Sequence, residues 1–251
     1  MNFDISDLLS HWEYQAGQIV VRRFKGKDGK EKIQLRVDLG LLQMDAFGRP
    51  DGKKPFGHET LFEHYKARLE KHKEGNNGED EGFKLDAEDC SKLQQEAIQF
   101  HHRYICLFQL KDFAAVVRDT ERNLAVFDFV EKYADQRELA WSVQQLRPQL
   151  LMMQVRAKAT VALESGDHDA AIKAAEDGME ELREFYARIE RPDLADQSPE
   201  IQSLQAYAEE IRSTRPVSER ERVEQALDEA VRREEYEKAA QLRDKLRRMN
   251  D

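Results

Sequence analysis

Histidine, carboxylate and cysteine side chains could hold a metal or start covalent chemistry, and their spacing in this chain assembles neither. His58-Glu59 and Glu63-His64 lie close together, but a zinc-binding His-Glu-x-x-His is absent because Phe62 occupies its last position. No histidine has a glutamate three residues before it, which removes the helical di-iron pattern. His101 and His102 are neighbours on a helical pattern and are expected to point to different faces. Cys90 and Cys106 fall in one predicted helix about 24 Å apart at ~1.5 Å per residue, beyond disulfide reach. The chain has no Cys-x-x-Cys, no Gly-x-x-x-x-Gly-Lys-Ser/Thr phosphate loop and no Gly-x-Ser-x-Gly elbow. The expectation is therefore no catalytic residue, no metal ligand and no cofactor. An enzyme is the least supported class, since nothing assembles a nucleophile, a base and an oxyanion site.

A second group of side chains is suited to phosphate rather than to bond-making. Arg22, Arg23, Lys25, Lys27, Lys30 and Lys32 stand together against only Asp28 and Glu31, in a chain whose net charge is −10. On the tip of a β-hairpin such a cluster can touch a nucleic-acid backbone, and Arg22, Arg23, Lys25 and Lys27 are its candidate contacts. The competing reading is that lysines on edge strands and turns prevent aggregation, and Phe24 is the only aromatic interleaved with them.

The elements that would position these groups change character along the chain. Gln18 to Phe24 reads as a strand, and Gly26-Lys-Asp-Gly29 as a turn. Ile33, Leu35, Val37 and Leu39 then alternate with Gln34, Arg36 and Asp38, the period of a half-buried strand. The apolar pattern runs on through Leu41, Leu42 and Met44 with a bulge expected at Gly40. A helix with Leu61, Phe62, Tyr65 and Leu69 on one face closes an N-terminal β-rich unit, 1–70. Residues 71–84 are almost wholly polar at first, Lys71 to Gly82, and read as a flexible linker. Region 85–191 is helical in pattern, with helices expected at 86–110, 112–133, 137–164 and 167–189. Asp112 and Asp167 are plausible caps, and Pro148 is expected to kink or divide the third helix. A connector with a short helix, 192–216, leads to the C-terminal segment 217–251. No apolar run approaches the ~20 residues needed to span a bilayer, so no membrane partner is expected. The first residues lack a signal-peptide profile, and the two distant cysteines suit a reducing cytoplasm.

The last segment is the most specific. Val223, Leu227, Ala230 and Val231 form one helical stripe. Tyr236, Ala239, Ala240, Leu242, Leu246 and Met249 form a second, and two alanines permit close approach. A hairpin this short buries too little to stand alone. It must pack on its own chain, on a copy of itself or on another protein. Tyr236-Glu237-x-Ala239-Ala240-x-Leu242-Arg243-Asp244 resembles the UVR motif, the helical hairpin of the B and C subunits of the bacterial excision nuclease. Similar hairpins occur in Clp-type chaperone ATPases and in activators of protein arginine kinases. Tyr236 stands where that family more often has Phe. The resemblance covers about a seventh of the chain. It implies a protein–protein contact element without chemistry, made by Tyr236, Glu237, Ala239, Ala240, Leu242, Arg243, Asp244 and Leu246.

An internal echo links this end to the middle. Asp112-Phe113, Asp167-His168 and Glu235-Tyr236 each place an acid before a ring, with small residues three or four further on. The ladder Ala159, Ala162, Gly166, Ala171, Ala175, Gly178 resembles the small-residue pattern of a tetratricopeptide (TPR) repeat, although the echo is spaced 55 residues rather than 34. The expected fold class is mainly α: TPR-like antiparallel helical hairpins with a small N-terminal β unit and a C-terminal UVR-like hairpin. The expected function is a cytoplasmic bacterial adaptor or scaffold whose partner is another protein, UVR-bearing or a second copy of this chain. Two alternatives are carried. One is an accessory factor of nucleotide-excision DNA repair, with nucleic acid left open as a partner. The other is a regulator of a Clp protease or a protein kinase.

Overall fold

A computed structural model of the chain describes residues 4–216 and 219–248, in two compact units, Met1–Ala208 and Glu209–Asp251. The first unit begins with a short helix α1 (Ser6–Ser10), then β1 (Val20–Lys25), β2 (Glu31–Val37) and β3 (Gly40–Asp45), an antiparallel sheet in the order β1-β2-β3. Gly29 sits at φ 77°, in the left-handed region, and supplies the reversal between β1 and β2. The bulge expected at Gly40 is instead a second hairpin. Val37 pairs with Gly40 across Asp38-Leu39, because the Arg36 guanidinium gathers the carbonyls of Val37, Asp38 and Gly40. The polar face of β2 is not open either. Arg36 also donates to the Trp12 carbonyl at 2.8 Å, while Gln34 bonds Gln43 at 2.9 Å, so both are buried beside the apolar Ile33.

The helices start where local side-chain chemistry directs. Thr60 caps α2 (Leu61–Gly75), Asp86 caps α3 (Ala87–Gln109), Asp112 caps α4 (Phe113–Tyr133) and Asp167 caps α7 (His168–Arg188), each by accepting a backbone amide three residues on. The region expected as one helix over 137–164 is two, α5 (Arg137–Gln144) and α6 (Arg147–Glu164), with Pro148 in the first turn of α6, where a missing N–H is harmless. Helix α3 packs on α4, α4 on α6 and α6 on α7, and Ile201, Leu204 and Ala208 of α8 (Pro199–Thr214) join the same core. These helical hairpins are the physical content of the repeat-like pattern.

The echo has a geometric explanation. At each corner one residue adopts the left-handed conformation: Lys111 (φ 59°), Gly166 (φ 81°) and Glu234 (φ 60°). The following amide then reaches back five residues: Asp112 to Leu107, Asp167 to Ala162 and Glu235 to Ala230, at 2.9, 2.9 and 2.8 Å. This is the Schellman closure of a helix, and the acid begins the next helix. The motif repeated in sequence is a helix-to-helix corner.

Residues 71–84 are not a free tether. Helix α2 continues to Gly75, and the Asn76 amide then bonds the carbonyls of Glu79 and Glu81 at 3.2 and 3.1 Å. Asp80 accepts from Lys132 at 2.6 Å and from the Tyr133 hydroxyl at 2.7 Å, Phe83 is buried, and Leu85 pairs in parallel with Ala134. Polar composition suggested a linker because the partners that tie it lie on α4, some 50 residues away. The bonds from Lys132 and then Tyr133 hold the Asp80 carboxyl below its usual range, ~3.9. A lowered folded pKa means that the stabilisation is complete above the usual value and is lost as pH falls through the lowered one. Amide-exchange protection of Phe83, whose N–H donates to the Asp80 carbonyl at 3.1 Å, is therefore expected to hold at pH 5 and to be lost only on acidification below the usual carboxylate value. Protection already lost at pH 6 would contradict this assignment.

Close approach between α6 and α7 depends on Gly178. A Cβ at that position would meet the Val155 side chain at 2.3 Å. Alanine is the better helix former by about 1 kcal/mol, yet Gly178→Ala is expected to lower stability by about 1–3 kcal/mol through overpacking. Urea unfolding measures the sign. A more stable variant would show that α6 and α7 slide apart freely.

Charged residues also sit within the core. Arg103 and Asp119, each with a side chain 1 % exposed, pair at 2.6 and 2.9 Å. Arg103 also donates to the carbonyls of Asp45 and Gly48 at 3.1 and 2.7 Å. Glu96, 0 % exposed, accepts the backbone N–H groups of Leu61 and Phe62 at 2.7 and 3.2 Å, and the side chains of Arg49 and Arg122. A carboxylate facing the first amides of α2 meets the positive end of that helix. These bonds fasten the β unit and α2 onto α3 and α4, so the boundaries expected at 70/71 and 84/85 fall inside one unit.

Candidate interaction site

The C-terminal unit holds a hairpin of α9 (Glu219–Arg232) and α10 (Tyr236–Arg248), which pack on each other. Glu234 makes the corner described above. Val223, Ala230 and Ala239 are buried, and Ala240, Leu242 and Leu246 are half-buried. Small residues let two short helices approach, as their types implied. Val231 departs from the expected stripe, being 52 % exposed. Met249, expected on the second stripe, lies outside the described residues.

The expected contact residues therefore divide. Ala239, Ala240, Leu242 and Leu246 belong wholly or partly to packed surface. Tyr236, Glu237, Arg243 and Asp244 face solvent. Tyr236 keeps 69 % of its surface exposed at the first position of α10, and Arg243 lies 3.7 Å from Asp244 with both side chains largely in water. An exposed aromatic ring at a corner, with an exposed arginine on the same helix, has the composition of a protein-binding hot spot.

The basic cluster of the β unit comes out differently. The Arg22 Nε donates to Gln34 at 2.8 Å and its guanidinium lies 4.2 Å from the centre of the Trp12 ring. Arg23 pairs with Glu31 at 3.1 Å and with Asp112 at 2.7 Å. Lys30 reaches Asp45 at 3.8 Å, and Lys32 joins Asp28 at 2.9 Å and also Asp45. Among the described residues this leaves Lys25 and Lys27 without an acidic partner. The cluster looked isolated in sequence because Asp45 and Asp112 come to it from other elements.

The remaining candidates behave as packing groups. The thiols of Cys90 and Cys106 are buried, which pushes them up to about 11 and about 12, so both stay protonated and unreactive at neutral pH. His58 and His64 meet edge to face at 5.3 Å, and Phe56 stacks on His64 at 4.3 Å. The ring centres of His101 and His102 lie 5.9 Å apart, and His101 Nδ1 bonds the Tyr104 hydroxyl at 2.6 Å. No group of three or more metal-binding side chains occurs among the described residues. None of their helices is long and apolar enough to cross a membrane.

Sequence reading missed Glu96, Arg103 and Asp119. A signal existed for two of them. Leu93, Phe100 and Leu107 recur every seven residues on α3, and Glu96 and Arg103 fill the intervening core positions.

Comparison with known proteins bears on the hairpin. Residues 218–251 match the family model of the UvrB/uvrC motif. That motif serves interaction with proteins or DNA, so the chain carries an interaction element at its C-terminal end. No curated protein and no solved structure matches the chain.

Proposed function

We propose that the chain is a non-enzymatic cytoplasmic adaptor in bacteria, and that its C-terminal hairpin docks another protein or a second copy of itself. The observation that carries this reading is Tyr236, exposed at the corner of a hairpin that matches the UvrB/uvrC motif. Helix-in-groove recognition is the expected mode, with Tyr236, Leu242 and Leu246 as apolar anchors and Glu237, Arg243 and Asp244 setting orientation. Light scattering coupled to size exclusion, comparing the full chain with a chain ending at Arg215, tests it. A dimer that becomes a monomer on truncation makes the hairpin a self-association device. Two monomers make it a free docking element, and capture of a UVR-bearing nuclease subunit, kinase activator or Clp subunit by the full chain alone then supports the adaptor reading. A full chain and a truncated chain alike in mass and in everything they capture would end it.

A second reading, an accessory factor of nucleotide-excision repair, draws on the motif's use with DNA. With Arg22 and Arg23 engaged within the fold, Lys25 and Lys27 are the two of the four candidate contacts left to meet phosphate. Two phosphate contacts give a salt slope of about −2 in log–log form. Binding to duplex DNA that is steeper, or that survives Lys25→Ala with Lys27→Ala, would place any DNA contact elsewhere. Regulation of a Clp protease or a protein kinase uses the same hairpin and is separated by which partner is captured.

A further inference from the structure

The groove where α3, α4 and the start of α6 meet contains a cavity of about 310 Å³ that the hairpin's role does not use. Its walls include Ile98, Phe127, Leu146 and Leu150, with His101 and Asn123 among its polar atoms. Ten residues line it and none is Asp, Glu, Lys or Arg, although such residues make up 36 % of the chain. The cleft over α7 shows the contrast, since seven of its nine lining residues are charged. Charge has been kept out of this one recess.

The cavity is accessible and two of its polar groups are fixed. Ile98 and Leu146 are 43 % and 44 % exposed, which leaves two large apolar side chains at the mouth facing water. Inside, Asn123 is held by bonds to the Ala97 carbonyl and from Arg122, both 2.9 Å. His101 is bonded to Tyr104, and burial pushes its pKa below the usual value, which favours the uncharged imidazole. Gln94 and Gln149 also line the cavity, and among the described residues neither amide has a hydrogen-bond partner.

We propose that this cavity binds a small, uncharged, largely aromatic molecule carrying one hydrogen-bonding group. Volume limits the ligand to two or three rings, at the lower end of the range of small-molecule sites. The uncharged lining rejects ions, because moving a charged ligand into it would leave that charge unpaired. Ile98 and Leu146 supply most of the contact area, and Gln94 or Gln149 receives the polar group.

The test uses the full chain and the neutral probe N-phenyl-1-naphthylamine, whose fluorescence rises on leaving water. Saturable one-site binding is expected. Ile98→Glu should weaken it at least tenfold, while Leu39→Ser, at a residue 90 % exposed in the β2–β3 turn, leaves it unchanged. Circular dichroism checks that Ile98→Glu is folded. Independently, methyl resonances of Ile98, Leu146 and Leu150 in the unaltered protein should shift with the probe. Unsaturable fluorescence, a folded Ile98→Glu variant that binds as before, or shifts confined to other methyls would each overturn the assignment.

Discussion

Asp119→Ala is expected to remove about 3–5 kcal/mol of stability, the loss seen when one partner of a buried ion pair is deleted. For a domain of this size that lowers the Tm by on the order of 10 °C. The reason is what remains. Arg103 would stay buried with its charge uncompensated, since its other bonds go to the neutral carbonyls of Asp45 and Gly48, and its guanidinium lies 4.7 Å from the Phe100 ring centre. Arg118, which also bonds Asp119 at 2.9 Å, sits at the surface and suffers little. The double variant Arg103→Met with Asp119→Leu should recover much of the loss, because apolar replacements of a buried pair are often neutral. It should not recover all of it, since two backbone carbonyls lose their donor. Urea unfolding of Arg103→Met, Asp119→Leu and the double variant beside the unaltered chain provides the double-mutant cycle. A loss below about 1 kcal/mol in Asp119→Ala would mean that water reaches Arg103.

Tyr236→Ala combined with Arg243→Ala should abolish hairpin-mediated association and leave the helices of 86–190 folded. Truncating an aromatic hot spot typically removes about 2 kcal/mol or more of binding, roughly thirtyfold in Kd. The fold itself should lose about 0.5 kcal/mol or less, because both side chains stand largely in water. Mass by light scattering and partner capture read the association, and circular dichroism reads the fold. Loss of helicity across the chain would refute the separation of the two roles. Undiminished association would move the contact to Leu242 and Leu246.

Helix starts were legible in the sequence because a cap is local. Asp112 and Asp167 reach amides three residues away, and Pro148 acts on its own turn. The exposed half of the hairpin, Tyr236 with Arg243 and Asp244, was legible for the same reason: the 3.6-residue period assigns faces without outside help. Much of what was missed was non-local. The polar stretch around Asp80 looked loose until Tyr133 arrived from α4. Arg23 looked free until Asp112 arrived from 89 residues away. Gly40 hid a hairpin because the apolar run crosses it without a polar break, and the device that turns the chain is the side chain of Arg36.

The Glu96 and Arg103 bonds also limit how this protein can be cut, recombined or inherited. A chain that began after α2 would keep Glu96 buried on α3 but lack Arg49 and the amides of Leu61 and Phe62. Arg103 would likewise keep Asp119 and lose the two carbonyls that complete its coordination. The β unit is thus no detachable cassette but a cofolding clamp. Recombination during evolution is expected to transfer it together with α3 and α4.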